Sequence, residues 1–375
     1  MEASATKARA EDRRLAEAAA IFERQHARGL FHGGQLVAMR DGRVLLDVAV
    51  GTARGVREHE GVAPLPVTEE TPFQIFSASK PVVALAIAYL EDRGMLDVHA
   101  PIAEVFPEFA ANGKAQITTL DVLQHRSGLM MRELTRERYA EWGDWDAVVQ
   151  ALIDERPPHP RGTFAYQPFG YGWALAEVVR RVSKKTLPEL LRDVLPAPIA
   201  GALRWGITRE ERPGVARAYC EAKRLMVDGF DLAKDFDIND SFEVLTAFVP
   251  GAGIITNARG LASFYDFVLR GASMSRLTLD RYITRQVAGI DRTTGAYIAL
   301  GRGFALGWRL PHPYGWWNSG HCYGHVGNFS CVGMADPESG VALAIVTNTN
   351  RSLLDVARRF APIASRVRSA GRAQV

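Results

Sequence analysis

The chain is poor in cysteine. Three residues in 375, Cys220, Cys322 and Cys331, cannot build a disulfide framework and suit a reducing compartment. It also lacks an excess of charge: 45 basic and 42 acidic residues leave +3. No basic run carries interleaved aromatics, which argues against a nucleic-acid partner. Long apolar runs are missing too. The longest, near 82–90 and 341–346, fall short of the ~20 residues that a bilayer-spanning helix needs, so no membrane segment is expected. Charged residues punctuate the first thirty positions, from Glu2 through Arg24, and leave no apolar stretch of the kind an export signal requires. The expected location is therefore cytoplasmic. His321, Cys322 and His325 might suggest a metal, but Gly320 and Gly324 break helical spacing and no carboxylate follows at ligand distance; neither metal nor cofactor is expected.

What is present is an ordinary globular composition, 47% hydrophobic and 23% charged, on a chain long enough for two lobes and a sizeable core. Its most informative stretch is Phe73-Gln-Ile-Phe-Ser-Ala-Ser-Lys-Pro-Val82. Ser77 and Lys80 stand three apart where an apolar segment enters a helical pattern, so both fall on one face. A neutral Lys80 amine there can accept the Ser77 proton, and the unpaired N–H groups of a helix start favour the negative charge of acyl transfer. Pro81 suits a first helical turn, and Val82, Val83, Leu85, Ala86, Ile87, Tyr89 and Leu90 give an apolar helix ending at Gly94. Ser77 also fits a plain helix cap. A second copy of the spacing, Ser4 to Lys7, lies in a polar amino-terminal stretch and is set aside.

Asp41-Gly42 between Gln35–Arg40 and Arg43–Val50 marks a hairpin. A helix is expected over 8–28. Helical periodicity then runs through 119–125, 145–154, 170–182, 186–194 and 258–269. Strands return at Phe304–Arg309, Cys322–His325, Ser330–Ala335 and Val341–Thr347, and a last helix spans Leu353–Ser369 with Pro362 inside it. Strands at both ends with helices between imply one discontinuous lobe, 1–72 with 245–375, holding an antiparallel sheet, and a mainly helical lobe over 73–244. The site is expected in the crevice between them.

With these stretches in order, the chain resembles the serine β-lactamase and penicillin-binding-protein superfamily, and within it the class C β-lactamases and family VIII carboxylesterases. Ser77-Ala-Ser-Lys80 matches the superfamily's nucleophile motif. Asp121-Val-Leu-Gln-His-Arg-Ser-Gly-Leu129 is similar to its Leu-Leu-x-His-x-Ser-Gly-Leu segment, and Pro250-Gly-Ala-Gly-Ile-Ile-Thr-Asn-Ala258 to its Gly-Gly-x-x-Ser-Thr-Ala segment. Tyr166-Gln167-Pro168 stands where relatives carry Tyr-x-Asn, and His325-Val326-Gly327 where they carry Lys-Thr-Gly. The resemblance implies an α+β, β-lactamase-like fold with an antiparallel sheet flanked by helices and an inserted all-helical lobe.

It also implies that Tyr166 shuttles the proton between nucleophile and leaving group, and that the backbone amides of Ser77 and Asn328 hold the oxyanion. An ammonium at Lys80 would favour the Tyr166 phenolate. Gly327 lets substrate approach the strand, His325 faces it, and Gln167 is a candidate in place of the missing asparagine.

Pro168 offers no side-chain hydrogen bond to an acylamino group, and His325 is no fixed cation for a carboxylate. Both departures favour a small ester over a β-lactam. Tyr314, Trp316, Trp317 and Tyr323 are candidates for an apolar pocket, with Trp142, Trp145 and Phe169 covering the cleft from the helical side. A β-lactamase or D-peptidase, an acyltransferase using the same acyl-enzyme, and a non-catalytic binding domain remain alternatives. No Gly-x-Ser-x-Gly occurs, so the α/β-hydrolase elbow is unavailable.

Overall fold

Asp41 and Gly42 both take positive φ, 50° and 76°, the left-handed pair that a two-residue hairpin turn demands. They join β1 (Gly33–Arg40) to β2 (Arg43–Arg54) in antiparallel register with Arg40 opposite Arg43. The structure is a computed structural model that describes residues 2–132, 134, 138–223, 226–227, 230–231, 233, 236–308, 312–316 and 320–372. The remaining strands of the main sheet are β3 (Leu65–Pro66), β4 (Val287–Ile290), β5 (Tyr297–Leu300), β6 (Ala305–Leu306), β7 (Tyr323–Gly327), β8 (Cys331–Asp336) and β9 (Val341–Thr347). Their order across the sheet is β4-β5-β6-β7-β8-β9-β1-β2-β3, antiparallel throughout. The amino-terminal hairpin thus completes a sheet begun by strands 250 residues later in the chain.

All seven residues of β9 are buried, because the sheet is covered on both faces and alternation loses its polar half. On one face Leu36, Ala38, Val332, Met334, Leu343 and Ile345 pack with Phe22 of helix α1 (Glu2–Ala27) and Phe360 of the last helix. On the other, Val37, Ala342, Ala344 and Val346 belong to the larger core. That core includes Leu261 and Tyr265 of the helix Ala258–Leu269, and helix α2 (Lys80–Asp92). Every residue of α2 from Lys80 to Ala88 is buried. It packs along α3 (Gly170–Ser183), so the helix that follows the nucleophile is a central pillar rather than a surface element.

Two expectations change here. Strands β4 and β5 form a hairpin that was not among the expected elements, and the strand expected over Phe304–Arg309 shrinks to Ala305–Leu306. β6 is held by one pair to β5 and two to β7, too few to extend it; Arg309 lies outside the described residues. The last helix runs through Pro362 as one element, Leu353–Arg372.

Phe22 is fully buried and stacks on Phe31 at 4.8 Å. Phe22→Ala is expected to lower stability by about 3–5 kcal/mol, measured by urea unfolding. A loss below measurement error would show that α1 is dispensable to the fold.

Candidate active site

The nucleophile segment begins as a strained turn. Ile75 donates its amide to the Ile254 carbonyl at 2.9 Å and accepts from the Ala78 amide at 3.1 Å and the Cys331 thiol at 3.2 Å. Phe76 follows with φ 47°, a left-handed conformation uncommon for an aromatic residue and held only when the surroundings over-determine it. Here they do, because Phe76 is buried and the turn on either side is bonded to neighbouring strands. Ser77 therefore lies in a 3₁₀ turn, Phe76–Ser79, just ahead of α2 rather than within it. In that tighter helix residues three apart eclipse, which brings the Lys80 amine to 3.2 Å from Ser77 Oγ.

Lys80 is fully buried. Burial alone pushes its amine down from the ordinary lysine value to about 7, so in neutral to alkaline solution much of it is unprotonated. Its other two contacts are the carbonyls of Pro168 at 2.8 Å and Gly251 at 3.2 Å. A neutral amine has two N–H donors and one lone pair. With the donors given to the two carbonyls, the lone pair is left for the Ser77 proton.

Gly251 belongs to the Pro250-Gly-Ala-Gly segment, where a Cβ would lie 3.3 Å from Gly172 Cα and in ordinary contact with the Lys80 amine at 3.6 Å.

The Ser77 side chain is near enough to lower the Tyr166 phenol, and the Tyr166 ring lies 5.0 Å from Lys80 Nζ. Burial works against the phenolate expected beside an ammonium. Burial first, and the nearby Asp291 carboxylate second, hold the phenol well above its usual range against the lowering bond from Ser77. The sequence argument made no use of two neighbours. The His125 ring lies tilted against the Tyr166 ring at 4.5 Å and accepts the Gln167 amide on Nδ1 at 3.1 Å. Tyr171 donates to the Lys80 carbonyl at 3.2 Å. His125 is quoted in the motif but carries no signal of this role, since its φ of 56° and burial are tertiary facts.

The opposite wall is the end of β7. A Cβ on Gly327 would lie 2.0 Å from the Ile75 carbonyl oxygen, so only glycine lets this strand close on the nucleophile turn. Half-buried Asn328, with φ 37°, follows and opens the turn to β8. His325 is buried with its ring 6.1 Å from Tyr166. Burial, and then the Lys80 charge, push its imidazole down to about 3 against the raising contact with the Val326 carbonyl. That contact, Nδ1 to oxygen at 2.6 Å, assigns the hydrogen to Nδ1 and leaves Nε2 as an acceptor.

Ser77, Lys80, Tyr166, His325 and Gly327 thus gather around one turn, with Asn328 next in the chain. Gln167 does not join them. It is fully buried, and its amide oxygen accepts from Ser127 Oγ at 2.7 Å and from the Ser127 and Gly128 amides at 3.2 Å, so its side chain braces the neighbouring turn.

The aromatics expected near the third motif also go elsewhere. Tyr314 is fully buried in the core beneath the last helix, and the Trp316 amide donates to Ser365 Oγ of that helix. Tyr323 is buried in the main core, and Trp317 lies outside the described residues. On the helical side Phe169 packs with Trp142 and Trp173, and Trp145 donates to Glu177. Cys322 and Cys331 are buried, and burial raises both thiols, Cys331 to about 12, which leaves them inert as nucleophiles.

With this geometry in hand, the pattern of the Beta-lactamase family matches residues 18–368. The chain belongs to the Beta-lactamase family. It is 29% identical over 351 residues to the esterase/beta-lactamase LipL of Mycobacterium tuberculosis, covering 85% of this chain and 77% of that protein. The crystal structure of a penicillin-binding-protein homologue from Caulobacter crescentus superposes with a TM-score of 0.81 at 26% identity, covering 95% of this chain and 97% of the other. A family VIII carboxylesterase shares the fold, with a TM-score of 0.77 at 22% identity and coverage of 93% and 96%. The protein is a hydrolase of the serine β-lactamase and penicillin-binding-protein superfamily, with esterases among its homologues. Among the described residues no helix is long and apolar enough to cross a membrane.

With Lys80 as the expected base, its protonation would set a pH dependence. The amine accepts a proton only when neutral, so kcat/KM should rise through about pH 7 and stay level into the alkaline range, where burial keeps Tyr166 protonated. An unfolded lysine holds its proton to about pH 10.4, whereas the folded one releases it near 7. The unfolded state therefore binds more protons between these values, and stability should rise with pH over the same window. A kcat/KM profile flat from about pH 6 to 9 would exclude Lys80 as the base, since the ascending limb reports its ionisation.

Proposed function

We propose that the protein is a carboxylesterase that cleaves small, uncharged esters through an acyl-enzyme on Ser77. Lys80 Nζ takes the Ser77 proton as Oγ attacks the carbonyl carbon. The backbone amides of Ser77 and Asn328 hold the oxyanion, each such donor being worth roughly 3 kcal/mol. The proton then passes from Lys80 through the Tyr166 hydroxyl to the leaving alkoxide. Water enters, the same pair removes its proton, and the acid departs.

The preference for an ester over a β-lactam rests on His325. A β-lactam or peptidoglycan substrate brings a carboxylate, and burial keeps the imidazole at this position uncharged, with its Nδ1 hydrogen given to the Val326 carbonyl. It can accept a hydrogen bond but cannot hold an anion. Pro168 acts in the same direction, since its carbonyl is bonded to Lys80 and it has no side-chain amide to offer an acylamino group. LipL, an esterase/beta-lactamase by name, supports acyl-transfer chemistry of this kind without choosing between the two substrates.

Wild type and Ser77→Ala, assayed side by side on p-nitrophenyl acetate, p-nitrophenyl butyrate and nitrocefin, test it. The expected result is ester cleavage reduced at least about a thousand-fold by the substitution, with little nitrocefin turnover in either. Undiminished turnover by Ser77→Ala would remove the nucleophile assignment. Nitrocefin hydrolysis outpacing ester hydrolysis would make the protein a β-lactamase.

A further inference from the structure

Tyr166 has to keep its hydroxyl on Ser77, yet it sits in a segment, residues 155–169, that contains neither helix nor strand. A side chain on such a segment is held only as well as its backbone is. The backbone is held from the other side of the crevice, by the tip of the β4–β5 hairpin at residues 291–296. Asp291 Oδ1 accepts the Tyr166 amide at 2.5 Å, and Thr293 Oγ1 donates to the Tyr166 carbonyl at 2.7 Å. Two residues earlier, the Phe164 carbonyl accepts the Arg292 amide at 3.2 Å. Both main-chain polar groups of Tyr166 are thus bonded to the hairpin.

Asp291 is fully buried. Its Oδ1 also accepts the Thr293 amide at 3.2 Å, and its Oδ2 accepts the Thr294 amide at 2.7 Å and the Thr294 hydroxyl at 2.6 Å. These contacts tie the hairpin tip to itself and to Tyr166 through a single carboxylate. Burying that group away from water is unfavourable unless its oxygens are fully bonded. A hairpin tip alone does not call for it, because surface turns are closed by exposed Asp, Asn and Gly. What the carboxylate adds is the bond across 125 residues of sequence to Tyr166.

We propose that Asp291, assisted by Thr293, is the positioning residue that fixes Tyr166 for proton delivery to the leaving group. This rests on the Ser77–Lys80–Tyr166 reading given above. It makes the hairpin part of the catalytic apparatus without contact with substrate, and it carries a chemical signature. p-Nitrophenolate leaves without a proton, whereas an alkoxide has to be protonated as it departs. Misplacing Tyr166 should therefore slow alkyl esters far more than aryl esters.

The test compares wild type, Asp291→Ala, Asp291→Asn, Thr293→Val and Tyr166→Phe on ethyl butyrate and p-nitrophenyl butyrate. Thermal unfolding and labelling of Ser77 by a serine-reactive phosphonate monitor the fold and the nucleophile. Asp291→Ala is expected to lose about a hundred-fold in kcat/KM on the ethyl ester and less than about tenfold on the p-nitrophenyl ester, since kcat/KM reports acylation and not the deacylation that both esters share. Asp291→Asn, which keeps an acceptor for the Tyr166 amide, should regain most of the loss. Thr293→Val should show the same selectivity at smaller amplitude, and it carries the test with Asp291→Asn if Asp291→Ala does not fold. Equal losses on both esters, or wild-type turnover by Thr293→Val together with unchanged ester selectivity in the Asp291 variants, overturn the proposal in favour of a structural role. Wild-type ethyl-ester turnover by Tyr166→Phe overturns the Tyr166 assignment and the clamp with it. Full activity of Ser77→Ala is a separate failure, that of the acyl-enzyme itself.

Discussion

The burial of one amine organises this site. Lys80 is the first residue of a helix whose entire first half is enclosed, so its charge has no water to stabilise it and the amine is pushed down to about 7. Everything else near it follows from that enclosure. Two carbonyls, of Pro168 and Gly251, come from segments 83 residues apart and converge on the same nitrogen. They orient the neutral amine and later receive the ammonium. In water the same lysine would be protonated at pH 7 and useless as a base.

Holding the amine there requires the nucleophile turn to be immovable, and the sheet supplies this. The left-handed Phe76, the bond from Ile75 to Ile254 and the approach of β7 at Gly327 are one assembly. The turn is pressed between β7 and the strand Ile254–Thr256, while α2 behind it is packed on all sides. Backbone strain of this kind is retained where neighbours over-determine the conformation, and here those neighbours come from distant parts of the chain. The long-range pairing of β1 with β9 is therefore linked to the chemistry, because β8 and β9 carry β7, and β7 closes the turn.

Much of this was legible because the decisive residues sit in local patterns. Asp41-Gly42 specifies its hairpin, the apolar run 82–90 specifies a buried helix, and Ser77 and Lys80 are three apart in a helical context whichever helix type results. The misreadings share a different cause. Gln167 and Tyr166 are one residue apart in an irregular segment, and no periodicity says which way either side chain turns; the Ser127–Gly128 turn, 40 residues away, claims Gln167. Tyr314 and Trp316 lie close in sequence to the third motif, but the last helix claims them. The β4–β5 hairpin was readable in principle, since Asp291-Arg-Thr-Thr-Gly295 separates two short apolar runs, but nothing in it announces a bond to Tyr166. The ionisation states are the least local property of all, because they depend on how completely the fold excludes water.

That exclusion acts on the acid and the base in opposite formal directions with one chemical result. Burial lowers the amine of Lys80 and the imidazoles of His125 and His325, and it raises the phenol of Tyr166; each is driven toward its uncharged form. Above about pH 7 the groups facing Ser77 are then a neutral amine, a neutral phenol and a neutral imidazole. A neutral ester enters such a site without bringing charge into it. In the proposed mechanism the ammonium and the oxyanion arise together, as a pair, with the Pro168 and Gly251 carbonyls already in place for the ammonium. On the same reading an anionic substrate would have to bring its charge beside the uncharged His325 imidazole, and that penalty falls on binding before any chemistry begins. On the proposed reading, the enclosure that lowers the amine of Lys80 also favours an uncharged substrate.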